Sequence, residues 1–425
     1  MRLATPGHPH LGYCTNIHIG ESWAEVRRGL EHHASAVKAK VSPDRPMGIG
    51  LRLSGAAARS LEHPAAFADL ADLLDAHGLY VFTINGFPYG RFHGAPVKEG
   101  VYRPDWTEPE RLDYSDRLAR ILAQLLPEGE QGTVSTVPLG HAPRLRVAGA
   151  LDRAVDQLLQ HAAALVSLRD TTGRSVTLAI EPEPCCAIET TTEAVDFFKR
   201  HLFSRSALAR FGALAGIEGG VAEEALRRHV GICLDTCHAA VEFESPSEVV
   251  DVLRGAGIAV AKVQLSAGLR AQFRPGPSSP HDPGGDPGGN TWNAEMLAQL
   301  RSFDDGVYLH QVVERRGATL TRFADLTDAM ASLLSSGHGE VAGAAGPPVE
   351  WRVHCHVPIF AAALGRLTST QPQVRELLER VRREAVTTQL EVETYTWSVL
   401  PREYRDEDVT TSIARELAWV LSQLG

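Results

Sequence analysis

Short apolar runs rich in β-branched residues recur along the chain, each broken by polar residues, glycine or proline. They are "LGYCTNIHIG" (11–20), "MGIGLRLS" (47–54), "YVFTINGF" (80–87), "TVSTVPLG" (133–140), "VTLAIEPEP" (176–184), "VGICLDTCH" (230–238), "AVAKVQLS" (259–266) and "LEVETYTW" (390–397). Runs of this length and composition predict buried strands. Between them the apolar positions change to helical spacing. In "HPAAFADLADLLDAHG", Phe67, Leu70, Leu73 and Leu74 share one face, and Gly78 suits the C-cap. In "YSDRLARILAQLLPEG", Ser115 is placed to cap a helix carrying Leu118, Ile121, Leu122 and Leu125, which Pro127 ends. "RVAGALDRAVDQLLQHAAALVSL" and "QPQVRELLERVRREAV" predict two more helices.

Strands alternating with helices imply a parallel sheet with crossover helices. Eight such units predict an α/β fold, a closed (β/α)8 TIM barrel, with an open doubly wound sheet as the alternative. No G-x-G-x-x-G follows the first strand, which weakens a dinucleotide-binding version of the open sheet. One domain over residues 1–425 is expected, with no internal repeat and no linker. Two segments break the alternation. Residues 271–290 are half glycine and proline and follow the seventh strand; the expectation is a mobile loop at the barrel mouth or a disordered insertion. Residues 300–360 are expected to be an insertion between strands seven and eight. The alternative is that "VEWRVHCHVPIF", within it, is itself a barrel strand.

Composition narrows the function classes. The chain has 425 residues, 44% hydrophobic and 22% charged, with a net charge of −10. An acidic chain repels phosphate backbones, so no nucleic-acid partner is expected. No apolar run is long enough for a membrane span, and the N-terminus lacks the apolar stretch of a signal peptide, so the expected location is the cytoplasm. The six cysteines should then be reduced, and Cys233, Cys237 and His238 match no standard structural zinc spacing.

In a parallel barrel the chemistry gathers at the C-terminal ends of the strands. Glu181 ends "LAI", Asp235 ends "GICL", Glu393 ends "LEV", and Gln264 interrupts "AVAKVQLS". Burying a carboxylate without a partner costs several kcal/mol. Three of them on one rim, with little Lys or Arg nearby, point to a divalent cation, with Zn, Mn and Mg all open. His238 follows Asp235 by three residues; His354 and His356 alternate, so on a strand they share a face. His310 sits similarly in "YLHQVVER". The expected metal set is Glu181, Asp235, Gln264, His356 and Glu393, and the expected catalytic groups are Glu181, Glu393 and His238. The loops "CTNIHIGESW" and "FTINGFPYGRFHG" carry polar and aromatic residues, so Asn16, His18, Asn85 and His93, with His354, are candidate substrate contacts.

"GICLDTCH" resembles the strand-six motif of the xylose-isomerase-like barrels. The resemblance implies a divalent metal held by Glu on strand five, Asp on strand six, usually His on strand seven, and Glu on strand eight. Glu181, Asp235 and Glu393 match three positions; Gln264 stands where His is usual, so that ligand is weaker or comes from another residue such as His356. More narrowly, "HLGYCTNIH", "LAIEPEP", "GICLDTCHAAVEFE", "LHQVVER", "EWRVHCHVPIF" and "LEVETYTW" are similar to EboE-type metabolite traffic proteins. What this implies is a metal-dependent isomerase or epimerase for a small polyhydroxylated compound or secondary-metabolite precursor, working with other proteins of a maturation or traffic pathway. A non-catalytic metabolite-binding protein with a retained pocket is the alternative. An endonuclease-four-like phosphodiesterase fits less well, because "GLRLS" and "FTING" offer no histidine at the ends of strands two and three.

Overall fold

In the computed structural model, which describes residues 1–92, 97–273, 289–335, 348–402, 405 and 407–425, the eight predicted runs become the strands of one sheet. The first seven are β1 (His10–Tyr13), β2 (Met47–Arg52), β3 (Leu79–Asn85), β4 (Gln131–Thr136), β5 (Ser175–Ile180), β6 (Val230–Asp235) and β7 (Val260–Leu265). After β7 the chain leaves the barrel for β8 (Ala267–Phe273), β9 (Val312–Arg316), β10 (Thr319–Phe323), β11 (Val349–Val357), β12 (Ala363–Leu364) and β13 (Leu367–Ser369). It returns as β14 (Gln389–Val392). The barrel order is β1-β14-β7-β6-β5-β4-β3-β2, all parallel, and a bridge between Cys14 and Gly50 brings the two edges together. β2 and β6 are buried along their whole length, as expected of strands covered on both faces.

Helices wrap the outside. Pro64–Ala76 follows its predicted stripe, and Gly78 takes the left-handed φ of +60° that releases the chain into β3. The next helix, Pro109–Leu125, begins well before Ser115, because Pro109 opens its first turn. Ser115 is therefore inside the helix, and its hydroxyl donates to the Arg111 carbonyl at 2.8 Å.

The insertion begins at Ala267, much earlier than the sequence pattern suggested. Its strands form a six-stranded antiparallel sheet in the order β10-β9-β11-β8-β13-β12. β11, which contains "VEWRVHCHV", is a central strand of this second sheet and takes no part in the barrel. The helix Gln371–Arg383 then packs beside Pro246–Gly255 and Val409–Leu424 and leads into β14. Within the glycine- and proline-rich segment 271–290, residues 271–273 end β8 and 289–290 open a helix; the loop expected over 274–288 lies outside the described residues.

The barrel interior is polar below the mouth. Lys262 on β7 and Glu391 on β14 are both fully buried, with Nζ 2.6 Å from Oε2. A side chain at Gly50 would collide with Glu391, since a Cβ there would sit 1.2 Å from Oε1. Lys262 and Ser135 both donate to Asn85 Oδ1, which fixes that amide's orientation. Its Nδ2 therefore donates upward, to Glu393 Oε1 at 3.3 Å, and to Cys14 Sγ. Lys262→Met should cost about 3–5 kcal/mol in urea unfolding, because it strands a buried carboxylate, while adding Glu391→Leu should recover most of the loss. A cost below about 1 kcal/mol for the single change would show that the pair is not an energetic unit.

Candidate metal and substrate site

Asp235 ends β6 and caps the short helix Thr236–Val241. Its Oδ1 accepts from the backbone N–H groups of Cys237 (2.7 Å) and His238 (2.9 Å) and from Ser266 Oγ (2.6 Å). Oδ2 is buried with no hydrogen-bond partner. One oxygen thus builds the helix and the other is left for the site. The first turn of that helix carries His238 to the same spot, which explains the D-x-x-H spacing. Burial pushes the Asp235 carboxyl up, but His238, His356 and the Ser266 and backbone hydrogen bonds outweigh it and hold it below its ordinary value.

The imidazoles of His238 and His356 face this acid, and His354 adjoins both. His356 Nδ1 lies 2.9 Å from the Glu393 carbonyl, so it must donate, and Nε2 is a bare, buried lone pair with no partner. His238 Nδ1 likewise donates to the Pro182 carbonyl at 3.0 Å. His354 Nδ1 is 2.7 Å from Gln311 Oε1, an oxygen fixed because Gln311 Nε2 donates to Tyr102 Oη (3.0 Å) and the Pro184 carbonyl (3.3 Å). The assignment leaves His238 Nε2 and His354 Nε2 only 3.0 Å apart. Neutral rings cannot hydrogen-bond there; two lone pairs meet. Burial, then His238 and His356, push His354 well below the usual histidine range, and burial takes His356 down to about 4.

The remaining acids complete the arrangement. Oxygens of Glu181, Asp235 and Glu393 lie within 4.8 Å of one another, as do ligand atoms of Asp235, His238 and His356, and of Glu183, His238 and His354. Glu393 Oε1 is held by Asn16 Nδ2 at 2.7 Å as well as by Asn85. Burial, then Glu393 and Asp235, raise the Glu181 carboxyl well above its usual range; burial, then Asp235 and Glu391, do the same to Glu393. Orphaned acceptor atoms, crowded carboxyls and a donor set of oxygens and imidazole nitrogens, with Cys237 Sγ also within 4.8 Å of ligand atoms of His354 and His356, fit a divalent cation.

Above the acids opens a pocket lined by Asn16, Asn85, Glu181, His238, Gln264 and His354, all anticipated from sequence. The insertion roofs it with Tyr308, Leu309 and Gln311, and Val97 N–H bonds the Val307 carbonyl at 2.9 Å. Asp235 and His356 lie beneath that lining. Gln264 reaches the pocket, but its Oε1 accepts from Cys233 Sγ at 2.8 Å, so the oxygen needed for ligation is engaged. His18 does not line the pocket: it bonds Tyr13 Oη at 2.9 Å and stacks on His33 at 4.5 Å, beside a separate groove. His93 lies outside the described residues. His310 is buried away from the lining, 3.4 Å from Asp305, whereas its neighbour Gln311 faces the site. Glu183, Tyr102 and Gln311 were not singled out from sequence; the second acid of "EPEP" was the available signal for Glu183.

Fold and site together define a (β/α)8 barrel with a buried acid-and-imidazole centre at the C-terminal ends of its strands. No family model and no curated protein sequence matches the chain. Among solved structures it is similar to the IolI protein with a bound zinc atom, at 12% identity and a TM-score of 0.42, covering 98% of each chain. It is also similar to L-ribulose 3-epimerase, at 12% identity and a TM-score of 0.42 over 98% of this chain and 94% of the other. A xylose isomerase domain containing protein from Salmonella typhimurium gives 11% identity and a TM-score of 0.37 over 99% of both.

The raised carboxyls make a signed prediction. A group whose pKa is higher in the folded chain contributes stability below its unfolded value and loses it as pH climbs through the folded one. The contribution of Glu181 and Glu393 to cation-free stability should therefore fall as pH rises above the ordinary glutamate range, while the depressed His354 and His356 act in the opposite sense up to the ordinary histidine range. A divalent cation competes with the carboxyl protons, so the melting-temperature gain from added Mn or Zn should grow from about pH 5 to pH 8. Melting curves with chelator and with excess metal at four pH values test this; a gain that is flat or absent across the series contradicts it.

Proposed function

We propose that this protein is a metal-dependent isomerase or epimerase that moves a proton at a carbon beside a carbonyl or hydroxyl group. The observation that carries the reading is the convergence of Glu181, Asp235 and Glu393 with the bare His238 and His356 nitrogens at one barrel mouth. Glu181, Asp235 and Glu393, with His238 or His356, would hold the cation. Once bound, it would polarise a substrate oxygen and stabilise the negative charge that develops beside it. Glu181 and Glu393 stand on strands separated by β6 and β7, so a substrate between them meets a carboxyl on either side. One carboxylate takes the C–H proton and the opposite carboxyl returns one, which inverts the carbon and needs no oxidant.

The substrate class belonging to this reading is a small polyhydroxylated compound or a secondary-metabolite precursor, in the maturation pathway suggested by the resemblance to EboE-type proteins. Other proteins of that pathway are the natural partners. A binding role without turnover is the second reading, supported by the roof that the insertion builds over the pocket. Against a phosphodiesterase stand the net charge of −10 and the residues at the ends of β2 and β3, which are Arg52 and Asn85. Among the described residues no helix is long and apolar enough to cross a membrane.

Elemental analysis and solvent-deuterium exchange test the proposal together. The parent should take up a divalent cation and exchange a substrate C–H proton with D2O. Asp235→Asn should stay folded and lose the cation; Glu181→Gln and Glu393→Gln should each lower exchange by about 100-fold or more. No cation in the parent under any loading condition, or full retention in all three amides, would falsify the metal site. A loaded parent that binds but never exchanges establishes the binding reading instead.

A further inference from the structure

Resting on that reading of the site, we infer that the ligand is two-ended: a small head with adjacent oxygens at the acids, and an apolar planar body against the roof, as opposed to a free sugar. A free sugar presents hydroxyls on every side, and each buried one needs a partner. Two of the four carboxamides facing the pocket are committed to the protein at both ends. Asn85 spends its oxygen on Lys262 and Ser135 and its nitrogen on Cys14 and Glu393. Gln311 spends both ends on His354, Tyr102 and the Pro184 carbonyl. Gln264 Oε1 is taken by Cys233, and Asn16 Nδ2 by Glu393.

Part of the lining is apolar and aromatic. Phe87, Phe92, Val101, Tyr308, Leu309 and Tyr395 form it. Phe92, Tyr308 and Tyr395 form a triangle of rings with centroids 5.1, 5.2 and 5.3 Å apart, and Tyr395 lies 4.6 Å from His356. Opposite them Phe87 stacks on Tyr102 at 5.7 Å. Aromatic faces at these positions favour a ring or a conjugated chain. Charge points the same way. Among the described lining residues the one Lys or Arg is Lys98, and its Nζ is 2.6 Å from Asp325 Oδ2. The described lining therefore gives a phosphorylated head no unpaired Lys or Arg to bind.

Two simple chelators separate head from body. Acetohydroxamate and benzohydroxamate share one head of adjacent oxygens and differ in carrying a methyl or a phenyl group. Calorimetric titration of the cobalt-loaded protein should show benzohydroxamate binding about tenfold tighter or more. In Phe92→Ala and Tyr308→Ala that advantage should shrink below about threefold, with acetohydroxamate binding little altered. Equal affinities in the parent, or a phenyl preference that survives both substitutions, overturns the inference. So does a failure of both compounds to bind protein that has taken up cobalt. If the protein takes up no cobalt, the metal reading itself fails and this inference falls with it.

Discussion

The constraint on which this molecule turns is the burial of like charge. Glu181, Glu183, Asp235 and Glu393 are all buried at one end of the barrel. Among the described residues none of the four is ion-paired to a lysine or arginine. The nearest fixed cation is Lys262, one layer down, and it is bound to Glu391. In a medium of low polarity such a cluster must hold protons, bind a cation, or be divided among hydrogen bonds. The division among hydrogen bonds is visible. Asp235 gives one oxygen to a helix N-terminus, Glu393 leans on two asparagine amides, and burial beside Glu393 and Asp235 raises the Glu181 carboxyl well above its usual range.

The second layer of the barrel serves the first. Asn85 is useful to Glu393 only because Lys262 and Ser135 prevent its amide from flipping. Lys262 can sit there only because Glu391 balances it, and Glu391 fits only because position 50 is glycine. The chain of dependence thus runs from a backbone position with no side chain to the orientation of a carboxylate at the mouth. None of these inner residues touches the pocket's upper wall, yet each helps to set where the acids point.

The eight barrel strands were legible because both faces of each are covered, which writes long apolar runs into the chain. Asp235, Glu181 and Glu393 were legible for the related reason that an acid ending such a run is out of place. The second sheet was harder. β8 continues directly from β7 after one residue, and β12 and β13 are too short to carry a pattern. Side chains that act through geometry alone left no mark. Gln311 looks like the polar neighbour of a conspicuous histidine, and only the fold shows that it is the residue facing inward. His18 read as a pocket residue because its loop follows β1, but the loop turns the ring towards His33.

The insertion adds a consequence of a different kind. In many barrels the loops over the mouth are interchangeable, since the framework carries the chemistry and the cover only shapes access. Here β11 belongs to the cover, and it delivers His354 and His356 to the floor. Cover and floor are therefore not separable modules. An ancestor lacking the second sheet would have had a different donor set, and a shortened descendant could not keep this one. Any shift in the docking of the two sheets would be felt at the donor atoms themselves, so the surface between them helps to set the geometry of the site.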